Sequence, residues 1–191
     1  MKKVLIVALI LGGIMCRTET KTEKKKGSIS PEDRIKLALS VRDKKIELTG
    51  DEKAVVYTNK GKFVITLYSK DAPYTVKNFI RLSEVGFYNG TIFHRYVENF
   101  VIQGGDPYGT GYGDAGYNIF FEKNPKTHEK GAVGMARGSD LNSASCQFYI
   151  CLSPQHQLDG KYVVFGKVTE GMEVVEKLRK NDTIIKIEII R

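Results

Sequence analysis

Tryptophan is absent from this chain, and cysteine and histidine occur only three times each. Three cysteines cannot make the disulfide framework that staples small secreted domains. Cys146 and Cys151 fall on one predicted strand. At about 3.3 Å per residue they lie too far apart to bridge, and their parity puts them on opposite faces. Both read as small buried hydrophobes. His94, His128 and His156 lack the spacing of a metal site, and no GxSxG elbow or paired nucleophile and base accompanies them. That argues against a metal or nucleophilic enzyme and leaves no cofactor expected. The single GxGxxG match, Gly111 to Gly116, has no parallel strand leading in, no amphipathic helix leaving and no acid about 20 residues on. It is predicted to be a compact loop, not a dinucleotide site. Long apolar runs are missing too. Val4 to Met15 is too short to span a bilayer comfortably, which takes about 20 residues.

What is present suits one soluble domain with extensions: 191 residues, 41% hydrophobic and 27% charged, enough to bury a sizeable core. The net charge of +8 is uneven, with 13 of the 30 basic and 8 of the 22 acidic residues in positions 1–53. A basic excess concentrated in an extension fits a solvated or membrane-proximal tether. Nucleic acid is not an expected partner, because no RNA- or DNA-binding motif accompanies the charge.

Residues 1–16 have the layout of an export signal: Met1-Lys2-Lys3, a short apolar core, then Cys16 and a polar stretch. The segment resembles a bacterial lipoprotein signal, in which Cys16 becomes the lipidated first residue. Against that stands Met15, where such signals prefer a small residue. The expectation is a membrane-anchored lipoprotein of the cell envelope, facing the periplasm or exterior. Plain secretion, an uncleaved anchor and a cytosolic location remain as alternatives. Residues 17–53 are predicted to be a charged linker with a short helix. Arg17 to Ser30 has almost nothing apolar to bury. Ser30-Pro31-Glu32-Asp33 reads as a helix start, with Ile35, Ala38, Leu39 and Val41 giving a modest apolar face. That face could pack on the domain or meet a partner.

Residues 54–191 are predicted to form the domain proper. A hairpin opens it, Ala54–Tyr57 and Phe63–Tyr68 about Asn59-Lys60-Gly61. A helix follows from Pro73 to near Gly86, and a second is predicted from Gly171 to Lys180. Further strands are predicted around residues 93–103, 132–136, 147–152, 162–168 and 183–190. Many strands with two covering helices argue for an antiparallel closed sheet rather than a βαβ fold.

Phe93-His94-Arg95 and Phe100-Val101-Ile102-Gln103-Gly104-Gly105 place a cation and an amide in an aromatic, apolar run. This stretch resembles the signature of the cyclophilin-type peptidyl-prolyl isomerases. So do Ser143-Ala144-Ser145-Cys146-Gln147-Phe148-Tyr149-Ile150 and Leu158-Asp159-Gly160-Lys161-Tyr162-Val163-Val164-Phe165-Gly166, in the family's order. The resemblance implies a mainly β fold, a closed antiparallel eight-stranded barrel capped by two helices, and catalysis of rotation about Xaa-Pro bonds. It implies Arg95 as the donor to the prolyl nitrogen and Gln103 as the group holding the substrate carbonyl. Phe100, Val101, Tyr149 and Leu158 would wall the proline pocket, with Tyr162 capping it. Ala136 and Arg137 would run beside the substrate, the Arg137 backbone supplying hydrogen bonds. Gln147 would orient Arg95 or line the adjoining groove. His94, by strand parity, points to the other face and has a packing role. Gln157 stands where several eukaryotic members have tryptophan, which puts cyclosporin binding in doubt. Expected partners are proline-containing peptides and unfolded proteins, met by a monomer without cofactor or metal. The alternative is a non-catalytic proline-binding module or chaperone-like scaffold, which need not keep Arg95 and Gln103.

Overall fold

A computed structural model of the chain describes residues 29–191. The signal-like segment, Cys16 and residues 17–28 of the charged linker therefore lie outside the described residues. Alternation of apolar residues makes β2 (Gly61–Leu67), whose Phe63, Ile65 and Leu67 are buried while Val64 and Thr66 are half-buried. β1 (Lys53–Thr58) pairs with it across the two-residue turn Asn59-Lys60. The remaining strands are β3 (Phe93–Tyr96), β4 (Val101–Gly104), β5 (Ala132–Met135), β6 (Phe148–Cys151), β7 (Val164–Glu170) and β8 (Ile184–Ile190). They form one antiparallel sheet in the order β3-β4-β6-β5-β7-β2-β1-β8. The sheet curls until its end strands meet at one end. There Ile92 bridges Thr183, Phe93 N–H donates to Asp182 O at 2.9 Å, and Ile184 N–H donates to Thr91 O at 2.8 Å. Ladder pairing between β3 and β8 goes no further, so the strands stand as a curled eight-stranded sheet.

The core lies between this sheet and α2 (Pro73–Glu84), which buries Val76, Phe79, Ile80 and Leu82 completely. Phe79 is its centre, with ring centroids 5.2 Å from Phe165, 5.4 Å from Tyr88 and 5.6 Å from Phe148. Such tilted and edge-on pairs add to the area buried. The N-cap of α2 is Ala72, which has no side chain to offer the first free amides. Glu122 does so from a distant loop, accepting from Tyr74 N–H at 2.8 Å and from Thr75 N–H and Oγ1–H at 2.6 Å each.

α1 (Pro31–Val41) begins as its sequence suggests, with Ser30 Oγ accepting from Asp33 N–H at 3.1 Å. It packs on the domain, burying Ala38 and Arg34, whose Nη1 donates to Phe87 O at 2.7 Å. The predicted helix over 171–180 is shorter in the structure: α3 covers only Met172–Val175. Beyond it the bonds tighten to three-residue spacing, Lys177 N–H to Val174 O and Leu178 N–H to Val175 O. The Asp182 carboxylate then takes Arg179 N–H at 2.7 Å, and Arg179 Nη1 takes the carbonyls of Glu176 and Leu178. Side chains thus satisfy groups that a continuing helix would have paired.

Candidate active site

Antiparallel pairing sets the site. Arg95 on β3 stands opposite Gln103 on β4, and Gln103 stands opposite Tyr149 on β6. Cross-strand partners share a face, so a cation, an amide and an aromatic ring are laid side by side. Phe100 precedes β4, where Leu152 N–H donates to its carbonyl at 2.8 Å. Leu158 ends a single 3-10 turn (His156–Leu158), and Tyr162 N–H donates back to Leu158 O at 3.3 Å. Ala136 and Arg137 follow β5.

These elements enclose a hollow of about 230 Å³ lined by Arg95, Phe100, Val101, Gln103, Ala136, Arg137, Tyr149, Leu158 and Tyr162. At about 30 Å³ per liquid water, that is room for several waters or a small ring. Beneath it lies an apolar cluster separate from the main core: Val101, Ala132, Tyr149, Cys151 and Val164, with Phe100, Leu158 and Tyr162 packed against it. Burial pushes the Cys151 thiol up to about 12, so it contributes bulk and no thiolate. Tyr162 meets Tyr149 edge-on at 6.1 Å and carries the Arg137 guanidinium 4.8 Å over its ring. That guanidinium also donates to Lys161 O at 2.8 Å through Nη2, which fixes it over the rim.

At the polar end Arg95 is exposed, its Cζ 5.5 Å from the centroid of the Phe100 ring. Arg95 Nη1 donates to Gln103 Oε1 at 3.3 Å, and Gln103 Nε2 donates to Gln147 Oε1 at 2.9 Å. Gln147 Nε2 is anchored on the carbonyls of Gly111 at 3.0 Å and Gly113 at 2.8 Å. So Gln147 reaches Arg95 through Gln103. It also lines an adjoining, larger hollow of about 470 Å³ with Gly111, Tyr112, Gly113, Asn118 and Ser143. The glycine loop of the sequence thus supplies the carbonyls that hold this amide chain.

His94 is buried behind β3, and neither ring nitrogen has a hydrogen-bond partner. Burial lowers its pKa, as the neutral ring requires. What the residue pattern did not disclose is the support of Tyr149. Its hydroxyl lies 2.7 Å from His128 Nε2, and His128 Nδ1 lies 2.7 Å from Asp159 Oδ1. Asp159 lies in the motif Leu158–Gly166, but nothing local links it to His128. Among the described residues no group of three or more His, Cys, Asp and Glu could hold a metal ion.

The chain matches the family model "Cyclophilin type peptidyl-prolyl cis-trans isomerase/CLD" over residues 53–189. A peptidyl-prolyl cis-trans isomerase of Helicobacter pylori strain 26695 is 43% identical over 145 residues, 74% of this chain and 88% of the relative. Peptidyl-prolyl cis-trans isomerase B of Bacillus subtilis is 44% identical over 130 residues, 67% of this chain and 90% of the relative. Among solved structures, a Cryptosporidium parvum cyclophilin-type isomerase crystallised with the dipeptide Ala-Pro aligns at a TM-score of 0.69 and 34% identity, covering 73% of this chain and 99% of that one. With the matched fold, the curled sheet and the ordered motifs in agreement, this chain belongs to the cyclophilin-type peptidyl-prolyl cis-trans isomerases.

Proposed function

We propose that Arg95 performs the isomerisation by stabilising the twisted Xaa-Pro bond over the 230 Å³ hollow. Rotation of a planar amide costs about 18–20 kcal/mol because conjugation is lost. In the twisted state the prolyl nitrogen regains a lone pair. A donor aimed at that nitrogen binds the twisted state better than the planar one, and only such a difference lowers the barrier. Gln103 holds the substrate carbonyl region. Phe100, Val101, Tyr149 and Leu158 receive the pyrrolidine ring under Tyr162, and the backbone beside Ala136 and Arg137 guides the chain. No covalent bond changes. The carrying observation is the pairing of Arg95 with Gln103 at the polar lip of an otherwise apolar hollow. The crystal structure of the Cryptosporidium relative with Ala-Pro supports a proline-containing ligand. A non-catalytic proline-binding module would need the hollow but not this donor pair.

The test is an isomerisation assay on a short Xaa-Pro peptide. Arg95→Ala is expected to lose about 10²–10³-fold in turnover, as removal of an oriented transition-state donor does elsewhere. Circular dichroism should show the fold retained. Turnover equal to wild type would remove Arg95 from the mechanism.

The clients we infer are proline-containing segments of unfolded proteins, met by a monomer whose sheet closes as a barrel, a reading supported by the Ile92–Thr183 bridge. Gln157 leaves tight cyclosporin binding unexpected. For location we propose a lipid anchor at Cys16 in the cell envelope, from the basic start, apolar core and following cysteine. Cys16→Ser should abolish fatty-acid labelling and move the protein out of the membrane fraction. Unchanged labelling would exclude the anchor.

A further inference from the structure

A line of hydrogen bonds runs from the surface to the wall of the hollow. Asp159 Oδ2 lies 3.0 Å from His156 Nδ1, and Asp159 Oδ1 accepts from the His128 backbone N–H at 2.7 Å. The same Oδ1 lies 2.7 Å from His128 Nδ1, and His128 Nε2 lies 2.7 Å from Tyr149 Oη. An ionised carboxylate can only accept, so Nδ1 carries the proton of the neutral ring. Nε2 then offers a lone pair, and the Tyr149 hydroxyl donates to it. The His128 side chain is fully buried, and its ring stacks on Tyr149 with centroids 5.9 Å apart and planes 12° apart. β5 is cut back to admit this arrangement: a methyl group on Gly134 would land on the Tyr149 phenol. The three groups come from separate pieces of chain, the loop before β5, the turn after Leu158, and β6.

We propose that Asp159, His128 and Tyr149 act as one positioning relay: the carboxylate fixes the tautomer of the imidazole, the imidazole fixes the phenol, and a rigid aromatic wall meets the prolyl ring. This rests on reading the hollow as the prolyl site. With its hydroxyl committed to a buried imidazole, Tyr149 presents its ring to the substrate in a single orientation. That lowers the cost of ordering the pocket at binding and sets its depth. His156 and Glu129 face the relay from the surface side, with His156 Nδ1 3.0 Å from Asp159 Oδ2 and His156 Nε2 3.5 Å from Glu129 Oε1. Tyr162 and Arg137 face Tyr149 from the hollow side, and Cys151 lies in the buried cluster beneath it. Burial holds the His128 pKa below its ordinary value against the opposing pull of Asp159. The relay is therefore whole at neutral pH. It breaks as pH falls through that lowered value, when Nε2 gains a proton and the phenol loses its acceptor.

The experiment measures kcat and KM of the full chain on an Xaa-Pro peptide from neutral pH down to the acid limit of the folded protein, so that the lowered His128 value can fall inside the range. In the wild type kcat/KM falls at the acid end. Tyr149→Phe raises KM about 3–10-fold, the worth of one hydrogen bond, and loses the acid dependence. His128→Gln keeps an acceptor near the place of Nε2 and cannot titrate. It gives a flat profile with KM closer to wild type than His128→Leu. Nitrogen-15 NMR of the wild type shows Nδ1 protonated and Nε2 bare at neutral pH, and peptide binding shifts the His128 ring signals. A protonated Nε2 at neutral pH, or a Tyr149→Phe protein with wild-type KM and pH profile, overturns the relay. Should His128→Leu fail to fold, Tyr149→Phe and the NMR experiment decide alone. An inactive Arg95→Ala beside an unchanged Tyr149→Phe removes the relay only; a Phe100→Ala protein with wild-type KM removes the prolyl-site reading beneath it.

Discussion

Asp106 shows how much one carboxylate does here. The loop from Gly104 to Gly116 holds six glycines and would have no fixed shape without an organiser. Asp106 is fully buried and accepts from the backbone N–H of Tyr108 at 2.8 Å, Thr110 at 2.9 Å and Gly113 at 3.2 Å, and from that of Gly111. Burial alone would raise its pKa, but these donors outweigh it and the pKa lies below its usual value. The stabilisation is therefore complete above the unfolded value of about 3.9 and is lost as pH falls through the lower folded value. Asp106→Asn should cost about 1–3 kcal/mol at pH 7, because donors in the loop lose a charged acceptor. The gap to wild type should narrow in acid below about pH 4, which urea titrations at the two pH values would show. A gap unchanged by pH would mean the charge is not what organises the loop. From sequence Asp106 is legible only as a turn residue after Gly105. Its acceptor role, like the His128–Asp159 contact, joins groups with no periodic relation, and periodicity is what a sequence shows most plainly. The aromatic and amide residues lining the hollow were legible as a set through the order of the family motifs rather than through periodicity.

Elements were legible where local chemistry decides them and misjudged where distant side chains do. The β1–β2 hairpin follows from alternation and a two-residue turn. The start of α2 follows from Pro73, whose missing N–H is no loss in the first helical turn. Apolar spacing at Met172, Val175 and Leu178 suggested a longer helix than α3, because it cannot register the Asp182 carboxylate that takes Arg179 N–H. The cap of α2 was equally hidden, since Glu122 lies 48 residues after Tyr74. This carboxylate serves free amides at the positive end of the helix, where both hydrogen bonding and the macrodipole favour it. Glu122→Ala should destabilise by about 0.5–2 kcal/mol, the range for losing a helix cap. Glu122→Gln should recover part of that, keeping an acceptor without the charge. Urea midpoints in that order would support the cap; equal midpoints for all three proteins would show that water replaces it at no cost.

At the scale of the whole molecule, the match to the family begins at residue 53, yet the packing begins earlier. Arg34, Ala38, Ile46 and Glu52 are all buried. Arg34 satisfies Phe87 O, Arg81 Nε donates to Lys44 O at 2.6 Å, and the Glu52 side chain takes Gly50 N–H at 3.1 Å and the Ser69 hydroxyl. Glu52 also receives Leu67 N–H on its backbone carbonyl at 2.9 Å, which ties the segment to the end of β2. A chain beginning at residue 54 would leave the carbonyl of Phe87, the amide of Leu67 and the hydroxyl of Ser69 without these partners and would uncover the apolar surface under Ala38 and Ile46. Restored to water, the polar groups lose little, so the main loss is apolar burial and the order imposed on α2. At about 25 cal/mol per Å² of apolar surface, uncovering one small and one branched aliphatic side chain amounts to about 2–4 kcal/mol. For a domain of this size that corresponds to a fall of roughly 5–15 °C in Tm. Calorimetry on chains beginning at 29 and at 54 would measure it, with the peptide assay run on both at 25 °C. The shorter chain should keep its turnover, because Arg95, Gln103 and the walls of the hollow all lie on β3–β6 and the turns beside them. Equal melting temperatures would make α1 a passenger; a shorter chain that folds but no longer turns over would mean that the helix shapes the site itself.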